Sequence, residues 1–382
     1  KDQTANVTLS GANIDVSNEG KAAVSTTGEG NVSIELDGDN TLKSGLSHAG
    51  LEKNNGGSLT IADKDKNGKL TAEGGGYGAG IGGGNRGAGS NITISGGEIR
   101  ATGGSNGAGI GGGGWGGSGS DIAISGGEVN ATGGNYGAGI GGGWGGSGSD
   151  ITISGGEVKA TGGNYGAGIG GGCNSAGSDI AISGGEVNAT GGQHGAGIGG
   201  GQIGSGNNIA ISGGEVNATG GENGAGIGGG CFGDGNNITV SGDAKLKVQG
   251  GVEDDTDGAG AGIGNGGSKA DGSPIPGAEV VPDTSGLTTG RIEYYAPGAD
   301  MEKDKPTSTT VGASSQPEKP TDPGAESGAD VPLYRVTDQD GKDIAHKAER
   351  KDGVLTVTVD ADFAILTGKL SSIDTLKRQG IE

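Results

Sequence analysis

Apolar and polar residues alternate in short runs along most of the chain, and the runs return at a fixed interval. The repeat at 150–178 contains the runs ITI, VKA and AGI, each with apolar residues at positions i and i+2. Successive side chains of a β-strand point to opposite faces, so each run predicts one short strand with an apolar face. The phrase GAGIGGG starts at residues 78, 107, 137, 166, 195 and 224, which is a 29-residue period with one 30-residue step.

A fixed period of this length is typical of a solenoid. Three strands joined by glycine corners describe one turn of a three-sided coil, and stacked coils predict an all-β parallel β-helix. Residues such as Ile151, Val158 and Ile169 would then line the interior. Glycine at the corners supplies the positive φ angles that other residues avoid, and it removes side chains that would face outward.

The quality of the repeat changes along the chain. The alternating pattern is present but irregular at first, becomes strict, and then degenerates around charged lysines and the acidic stretch EDDTDG. Charge and irregularity suit a terminal coil, because they prevent end-to-end strand pairing. We therefore assign residues 1–265 to the β-helix, with irregular coils at 1–76, regular repeats at 77–236 and a capping coil at 237–265.

The remaining residues show two further patterns. Residues 266–328 are rich in Pro, Ser, Thr and acidic residues and predict an extended linker, within which GRIEYYAPG at 290–298 is the segment suited to pack back on the helix. Residues 329–382 predict a small C-terminal α+β segment with strands and a short helix at SSIDTLKRQG. That segment is small for an independent fold, which leaves open that the module is incomplete.

Composition and charge limit the classes of partner. Hydrophobic residues make up 29% of the chain and aromatic residues 3%, so the core is expected to be narrow and built from Ile, Val and Ala. A formal charge of -21 argues against a nucleic-acid partner. No apolar run reaches the length of about 18 residues that membrane insertion needs. The start at Lys1 suggests a trimmed part of a longer protein with other domains.

Two cysteines, Cys173 and Cys231, lie 58 residues apart, which is two repeat periods. Stacking at the usual spacing between strands places them about 9.6 Å apart, beyond the reach of a disulfide. We predict two free thiols.

Aromatic residues recur at two corners of the repeat and are the best candidates for sugar binding. Aromatic rings pack well on sugar faces, and exposed rings are costly to keep without a partner. The alternative is that rings in adjacent coils only stack on each other. The candidates are Tyr77, Tyr136, Tyr165 and His194 before GAGIGGG, and Trp115 and Trp144, accompanied by Phe232, after it.

Carboxylates at repeated positions are the candidates for a metal, and calcium is the ion they would bind. One set is a column of glutamates that includes Glu128, Glu157 and Glu186, although a solvated, solubilising face is the simpler interpretation of it. The other is Asp63, Asp65 and Asn67, whose odd spacing resembles a calcium loop, although Gly74 stands where such a loop needs Glu. An ordinary turn is the alternative there.

A third column carries Asp or Asn just before the first strand of each repeat. Such residues cap turns, and stacked amides stabilise coils, so a structural role is expected. The column contains Asn91, Asp121, Asp150, Asp179, Asn208 and Asn237.

No catalytic constellation is evident in the sequence. The only histidines, His48, His194 and His346, are far apart, and there is no nucleophile elbow, zinc motif or phosphate loop. The same exposed residues recur in layer after layer, which suits an extended surface better than a unique pocket. We expect a protein that is not an enzyme, with a polysaccharide lyase or hydrolase as the alternative.

The phrases NTLKSG at 40–45, HAGL, SLTI and GKLTA, followed by stacked YGAGIGGG and ITISGGEV units, resemble a known family. Over roughly residues 5–265 the chain resembles the right-handed parallel β-helix of bacterial surface proteins labelled carbohydrate-binding-domain-containing. The resemblance implies an extracellular protein, secreted or attached to the cell wall. Some relatives are similar to pectate-lyase-like helices and bind plant polysaccharides with calcium without cleaving them. No sugar-site residue carries over.

Together these observations predict a non-catalytic carbohydrate-binding or adhesin module, with a polysaccharide or host glycan as its partner. A rigid stalk or spacer without a ligand is the main alternative. Binding to ice or a mineral is a weaker one, because no face shows regular pairs of threonines.

Overall fold

The computed structural model describes residues 3–254, 257–270 and 273–312, together with the backbone of four strands between 334 and 368. The chain divides into two compact units, Lys1–Gln316 and Pro317–Glu382. In the described part of the first unit, three long sheets enclose one apolar core, which confirms the predicted all-β parallel β-helix. No α-helix occurs among the described residues, and none of their segments is a helix long and apolar enough to span a membrane.

The first sheet has nine parallel strands in the described residues, each paired with its equivalent one coil away. Its inward residues in the regular coils are the two isoleucines of the Ile-x-Ile run. Ile122 lies between Ile92 and Ile151 in the ladder, and all three are fully buried. The strands are β1 (Thr4–Ser10), β4 (Asn31–Asp37), β7 (Leu59–Ala62), β10 (Gly89–Ile94), β13 (Gly119–Ile124), β16 (Gly148–Ile153), β19 (Gly177–Ile182), β22 (Gly206–Ile211) and β25 (Gly235–Val240).

The second sheet buries one Val or Ile and one Ala per regular coil, such as Val158 and Ala160. Between them it turns polar residues outward. The strands are β2 (Asn13–Asp15), β5 (Asp39–Lys43), β8 (Lys69–Glu73), β11 (Glu98–Thr102), β14 (Glu128–Thr132), β17 (Glu157–Thr161), β20 (Glu186–Thr190), β23 (Glu215–Thr219), β26 (Lys245–Gln249), β30 (Arg291–Tyr295) and β31 (Ser308–Val311).

The third sheet consists mostly of two-residue Ile-Gly strands, whose isoleucines are fully buried. In the regular coils the glycine has a φ angle near 130°, for example 131° at Gly170, which only glycine adopts readily. The strands are β3 (Val24–Thr26), β6 (Leu51–Lys53), β9 (Ile81–Gly82), β12 (Ile110–Gly111), β15 (Ile140–Gly141), β18 (Ile169–Gly170), β21 (Ile198–Gly199), β24 (Ile227–Gly228) and β27 (Ile263–Gly264).

Other glycines are required because neighbouring coils touch through their backbones. A Cβ atom on Gly163 would overlap the carbonyl oxygen of Gly134 in the preceding coil. The amide of Gly163 meanwhile donates a 3.0 Å hydrogen bond to the carbonyl of Gly137. Glycine therefore lets the coils stack closely enough for each backbone to bond to the next.

The Asp and Asn column has a conformational role. Its members adopt left-handed φ angles of 52–55°, which Asn and Asp tolerate better than other side-chain-bearing residues. In the later coils the amides form a ladder, in which Asn208 Nδ2 donates to Asp179 Oδ1 at 3.0 Å and Asn237 Nδ2 donates to Asn208 Oδ1 at 2.7 Å. The predicted structural role of this column agrees with these contacts.

We expect Asp150→Asn to stabilise the fold by about 0.5 kcal/mol, because like charges one coil apart repel and an amide adds a donor to the ladder. Asp150 is exposed and stands between Asp121 and Asp179 in the stack. The measurement is the thermal unfolding midpoint at low salt, where charge repulsion is strongest. Asp150→Gly is the control, since glycine accepts the left-handed φ of 53° and removes the charge without adding a donor. Equal midpoints for the two variants would contradict a contribution from the ladder.

The C-terminal end of the helix differs from the sequence-based assignment. The sequence predicts a linker over residues 266–328, but the described residues from 268 to 312 form a cap. Strand β30 pairs in parallel with β26, as suggested for GRIEYYAPG, and β31 adds in antiparallel orientation. Asp283 exchanges backbone hydrogen bonds with Ile238 and Val240 of the first sheet, both at 2.9 Å.

The edge of the third sheet is closed by a side chain. The Glu279 carboxylate accepts hydrogen bonds from the amides of Gly262 at 2.7 Å and Ile263 at 3.1 Å. Next to it, strands β28 (Ser268–Ala270) and β29 (Ser273–Ile275) form a short antiparallel pair. Composition misled the assignment because Pro, Ser and Thr are common both in linkers and in segments that cover the end of a sheet.

In the second unit, the described strands form two antiparallel pairs. Strand β32 (Tyr334–Thr337) pairs with β35 (Ile365–Gly368), and β33 (His346–Lys351) pairs with β34 (Val354–Val359). The helix predicted at SSIDTLKRQG and the linker residues 313–328 lie outside the described residues.

Candidate functional site

Five of the seven aromatic residues singled out in the sequence form one continuous stack, which we call the ring stack. The ring centroids of Trp115 and Trp144 are 4.2 Å apart, and those of Trp144 and Tyr136 are 5.2 Å apart. Tyr165 continues the stack 5.1 Å from Tyr136 with an interplanar angle of 12°. His194 follows 5.6 Å beyond Tyr165. The ring stack thus crosses four successive coils.

Backbone register accounts for most of this arrangement. Tyr136, Tyr165 and His194 occupy the same position in successive coils, and the His194 amide donates to the Asn164 carbonyl at 2.9 Å. The corner that follows each GAGIGGG phrase lies beside this column, because the Cys173 amide donates a 2.9 Å hydrogen bond to the Tyr136 carbonyl. Trp144 occupies the position equivalent to Cys173 one coil earlier, so its ring meets that of Tyr136.

Tyr77 and Phe232 are the two aromatic candidates that lie outside the ring stack. The coil between Tyr77 and Tyr136 carries Asn106 at the same position, so no ring bridges the two tyrosines. Tyr77 remains partly buried beside the next corner, where its carbonyl accepts a 2.8 Å hydrogen bond from the Gly114 amide.

Trp115 sits at an insertion. The chain advances nine residues from Ile110 to Gly119, but only eight from Ile140 to Gly148 in the following coil. This extra residue is the source of the single 30-residue step in the repeat. Trp115 has a left-handed φ of 59° and is 50% exposed. The one departure from strict periodicity in the regular coils therefore presents a large ring to solvent.

The same corner in the other regular coils also holds a left-handed residue, and we call this set the corner row. Besides Trp115, two of its members are exposed apolar residues, Ile203 at 59% and Phe232 at 42%. Phe232 stood out in the sequence as an aromatic residue, but Ile203 did not. The sequence feature that distinguishes Ile203 is an apolar residue at a corner where other repeats carry Asn or Gly. The corner row is Arg86, Trp115, Gly145, Asn174, Ile203 and Phe232.

The glutamate column lies in register on the outer face of the second sheet. Lys69 bonds to Glu98 at 2.8 Å at one end and Lys245 to Glu215 at 2.7 Å at the other, and these contacts lower the pKa of both carboxyls. Arg100 also lowers the pKa of Glu98, by a 3.0 Å contact. Between these ends the exposed members are Glu128, Glu157 and Glu186.

The Asp63 loop uses its carboxylate to hold a turn. Asp63 accepts hydrogen bonds from the amides of Asn67 at 3.2 Å and Gly68 at 3.0 Å. Asp63, Asn67 and Glu128 line one groove of about 370 Å³, whereas Asp65, Glu157 and Glu186 are not among its lining residues. In the part of the chain that the structure describes, no three acidic, His or Cys side chains are grouped to hold a metal ion. Calcium binding by these residues stays a prediction.

Cys173 and Cys231 are both buried and free, as predicted. Burial raises the pKa of the Cys173 thiol to about 11. Burial, with a smaller contribution from Asp257 and Asp254, raises that of Cys231 to about 12. Both thiols are therefore protonated at neutral pH and serve as packing groups.

Comparison with protein families finds the family described as Beta helix repeat. Its model matches residues 66–85, 92–114, 122–144, 151–173, 180–202 and 209–231, so each regular coil is similar to that repeat. Comparison with curated proteins and with solved structures gives no match. The matched segments lie between residues 66 and 231 and coincide with coils of the three-sheet helix, so this part of the chain is a parallel β-helix built from sequence repeats.

Proposed function

We propose that this chain is a non-catalytic, extracellular module, secreted or attached to the cell wall, that binds a polysaccharide at the ring stack. The observation that carries the proposal is Trp115, which sits at the only insertion in the regular coils, 50% exposed and at a left-handed φ. A left-handed residue other than Gly costs about 1–2 kcal/mol. Neither repeat geometry nor core packing needs a Trp at this corner, so a ligand is the reason we assign to it.

The shape of the ring stack supports a polymer rather than a small molecule. Its rings follow one another over successive coils at 4.2–5.6 Å, so that the partly exposed rings form one continuous row that ends at the half-exposed Trp115. Rings that combine an apolar face with a polar edge suit sugars, which have the same combination. Repetition of the surface also gives a linear ligand several contacts, which adds affinity without a deep site.

A rigid spacer without a ligand is the second candidate, and one observation favours it. Tyr136 and Tyr165 are nearly parallel at 12°, so each covers a face of the other and the pair is satisfied within the protein. Under this alternative the rings stabilise the stack of coils and nothing more.

A polysaccharide-binding screen tests the proposal. The full chain would be applied to immobilised neutral polysaccharides and uronic-acid polymers, each with added calcium and with a chelator. We expect retention on at least one neutral polymer that persists in the chelator, since aromatic contacts need no metal. Retention only on uronic-acid polymers and only with calcium would contradict the ring stack and favour the glutamate column. If the chain is retained on none of these polymers, the rigid spacer becomes the favoured function.

A further inference from the structure

The corner row contains two exposed apolar residues that are not part of the ring stack. Ile203 and Phe232 lie in adjacent coils, because the Ile203 amide donates to the Cys231 carbonyl at 2.7 Å. Both are exposed, at 59% and 42%, and both have left-handed φ angles, 62° and 63°. A β-branched or bulky residue in this conformation is a genuine outlier.

The chain itself shows that these residues are unnecessary for the fold. The same corner is occupied by Gly145 and Asn174 in two neighbouring coils, and those residues tolerate a left-handed φ at lower cost. Ile203 and Phe232 therefore incur backbone strain and expose apolar surface together. Strained residues that packing does not explain cluster at binding surfaces.

We infer that the corner row is a binding track that runs along the helix axis from Trp115 to Phe232 and holds one neutral, linear polysaccharide chain. This inference rests on the proposed function and extends it, since it gives the ligand a direction, a charge and a minimum length. Four coil steps at the usual strand spacing make the track about 19 Å long. The apolar contacts lie at its two ends.

The middle of the track suits the hydroxyls of a sugar chain. Gly145 and Asn174 lie between Trp115 and Ile203, so a stretch with small or polar side chains separates the two apolar ends. Asn174 is exposed, and Gln202 in the adjoining column is partly exposed. Their amides are able both to donate and to accept hydrogen bonds.

Charge selects a neutral polymer over a second copy of the protein. The row carries no charged side chain from Trp115 to Phe232, although the chain has a formal charge of -21. An anionic polymer, or another molecule of this protein, would meet long-range repulsion before reaching the uncharged track. A neutral polymer would not.

Affinity for short and long oligomers tests the track. We would titrate the full chain with the disaccharide and hexasaccharide of β-1,4-linked glucan, mannan and xylan. For at least one polymer, the wild-type chain is expected to bind the hexasaccharide at least about tenfold more tightly, because only the longer ligand reaches both ends. The double variant Ile203→Asn with Phe232→Asn should lose that gain and keep the disaccharide affinity. Asn is chosen because Asn174 occupies the same corner.

The outcomes separate this inference from the proposed function. If the wild-type chain binds but shows no length dependence, or if the double variant retains it, the track is wrong and the ring stack survives. If the wild-type chain binds none of these oligomers, the track is again wrong, and the polysaccharide screen decides the proposed function. Wild-type self-association in sedimentation that the double variant abolishes would assign the row to a second copy instead. An unchanged unfolding midpoint confirms that the variant is folded.

Discussion

Trp115→Gly is expected to weaken polysaccharide binding by about thirtyfold while the fold is retained. The ring is half exposed at the free end of the ring stack, so its face is the one most available to a ligand. Removing one well-packed aromatic contact to a ligand typically costs about 2 kcal/mol of binding free energy, which corresponds to that factor. The measurement is the dissociation constant for the polymer that the wild-type chain retains.

Stability should change little in this variant, because two effects oppose each other. Glycine relieves the left-handed strain at φ 59°, whereas the 4.2 Å contact with Trp144 is lost. Each effect is about 1 kcal/mol. Val281→Gly is the matched control, since Val281 is a 91% exposed apolar residue of the C-terminal cap. If both variants bind as tightly as wild type, the ring stack is not the binding surface.

Gly163→Ala is expected to destabilise the helix severely, by about 4 kcal/mol or more. The added methyl group would overlap the Gly134 carbonyl oxygen, and both partners are backbone atoms that no side-chain rotation can move. Relief would require adjacent coils to separate, which breaks inter-coil hydrogen bonds such as the 3.0 Å bond between Gly163 and Gly137. Overpacking of this kind is among the mutations with the largest effects.

Urea unfolding followed by circular dichroism measures this effect. Gly20→Ala is the control, because a Cβ at Gly20 meets no atom within 4 Å. That variant should be neutral or slightly stabilising, since alanine restricts the unfolded chain. Similar losses in the two variants would show that glycine acts through chain flexibility and not through close contact between coils.

The positions of some aromatic rings follow from the sequence repeat, and those of others do not. The 29-residue period placed Tyr136 and Tyr165 in adjacent coils, and their rings are stacked at 5.1 Å. The period did not predict the contact between Trp115 and Trp144, because the coil of Trp115 has one extra residue at this corner. Nor did it separate Tyr77 from the rest, since stacking depends on an unbroken run of rings.

The sequence alone determined the fold. Apolar residues at i and i+2 define the inward face of each strand, and an exact repeat forces every coil to place those residues in the same column, as with Ile92, Ile122 and Ile151. The two free thiols followed from the same count of periods. These features depend on local residue spacing and on the repeat period, so the order of residues is sufficient to predict them.

Only the tertiary structure decided which exposed residues meet and where the helix ends. The sequence indicates that GRIEYYAPG packs on the helix, but only the structure shows that residues 291–295 extend the second sheet by pairing with residues 245–249. The ring of Trp115 contacts that of Trp144 in the next coil. Ile203 is exposed and adopts a left-handed φ of 62°, which a β-branched residue does not favour. These outcomes depend on how coils lie against one another, which is a property of the stacked structure and not of any single repeat.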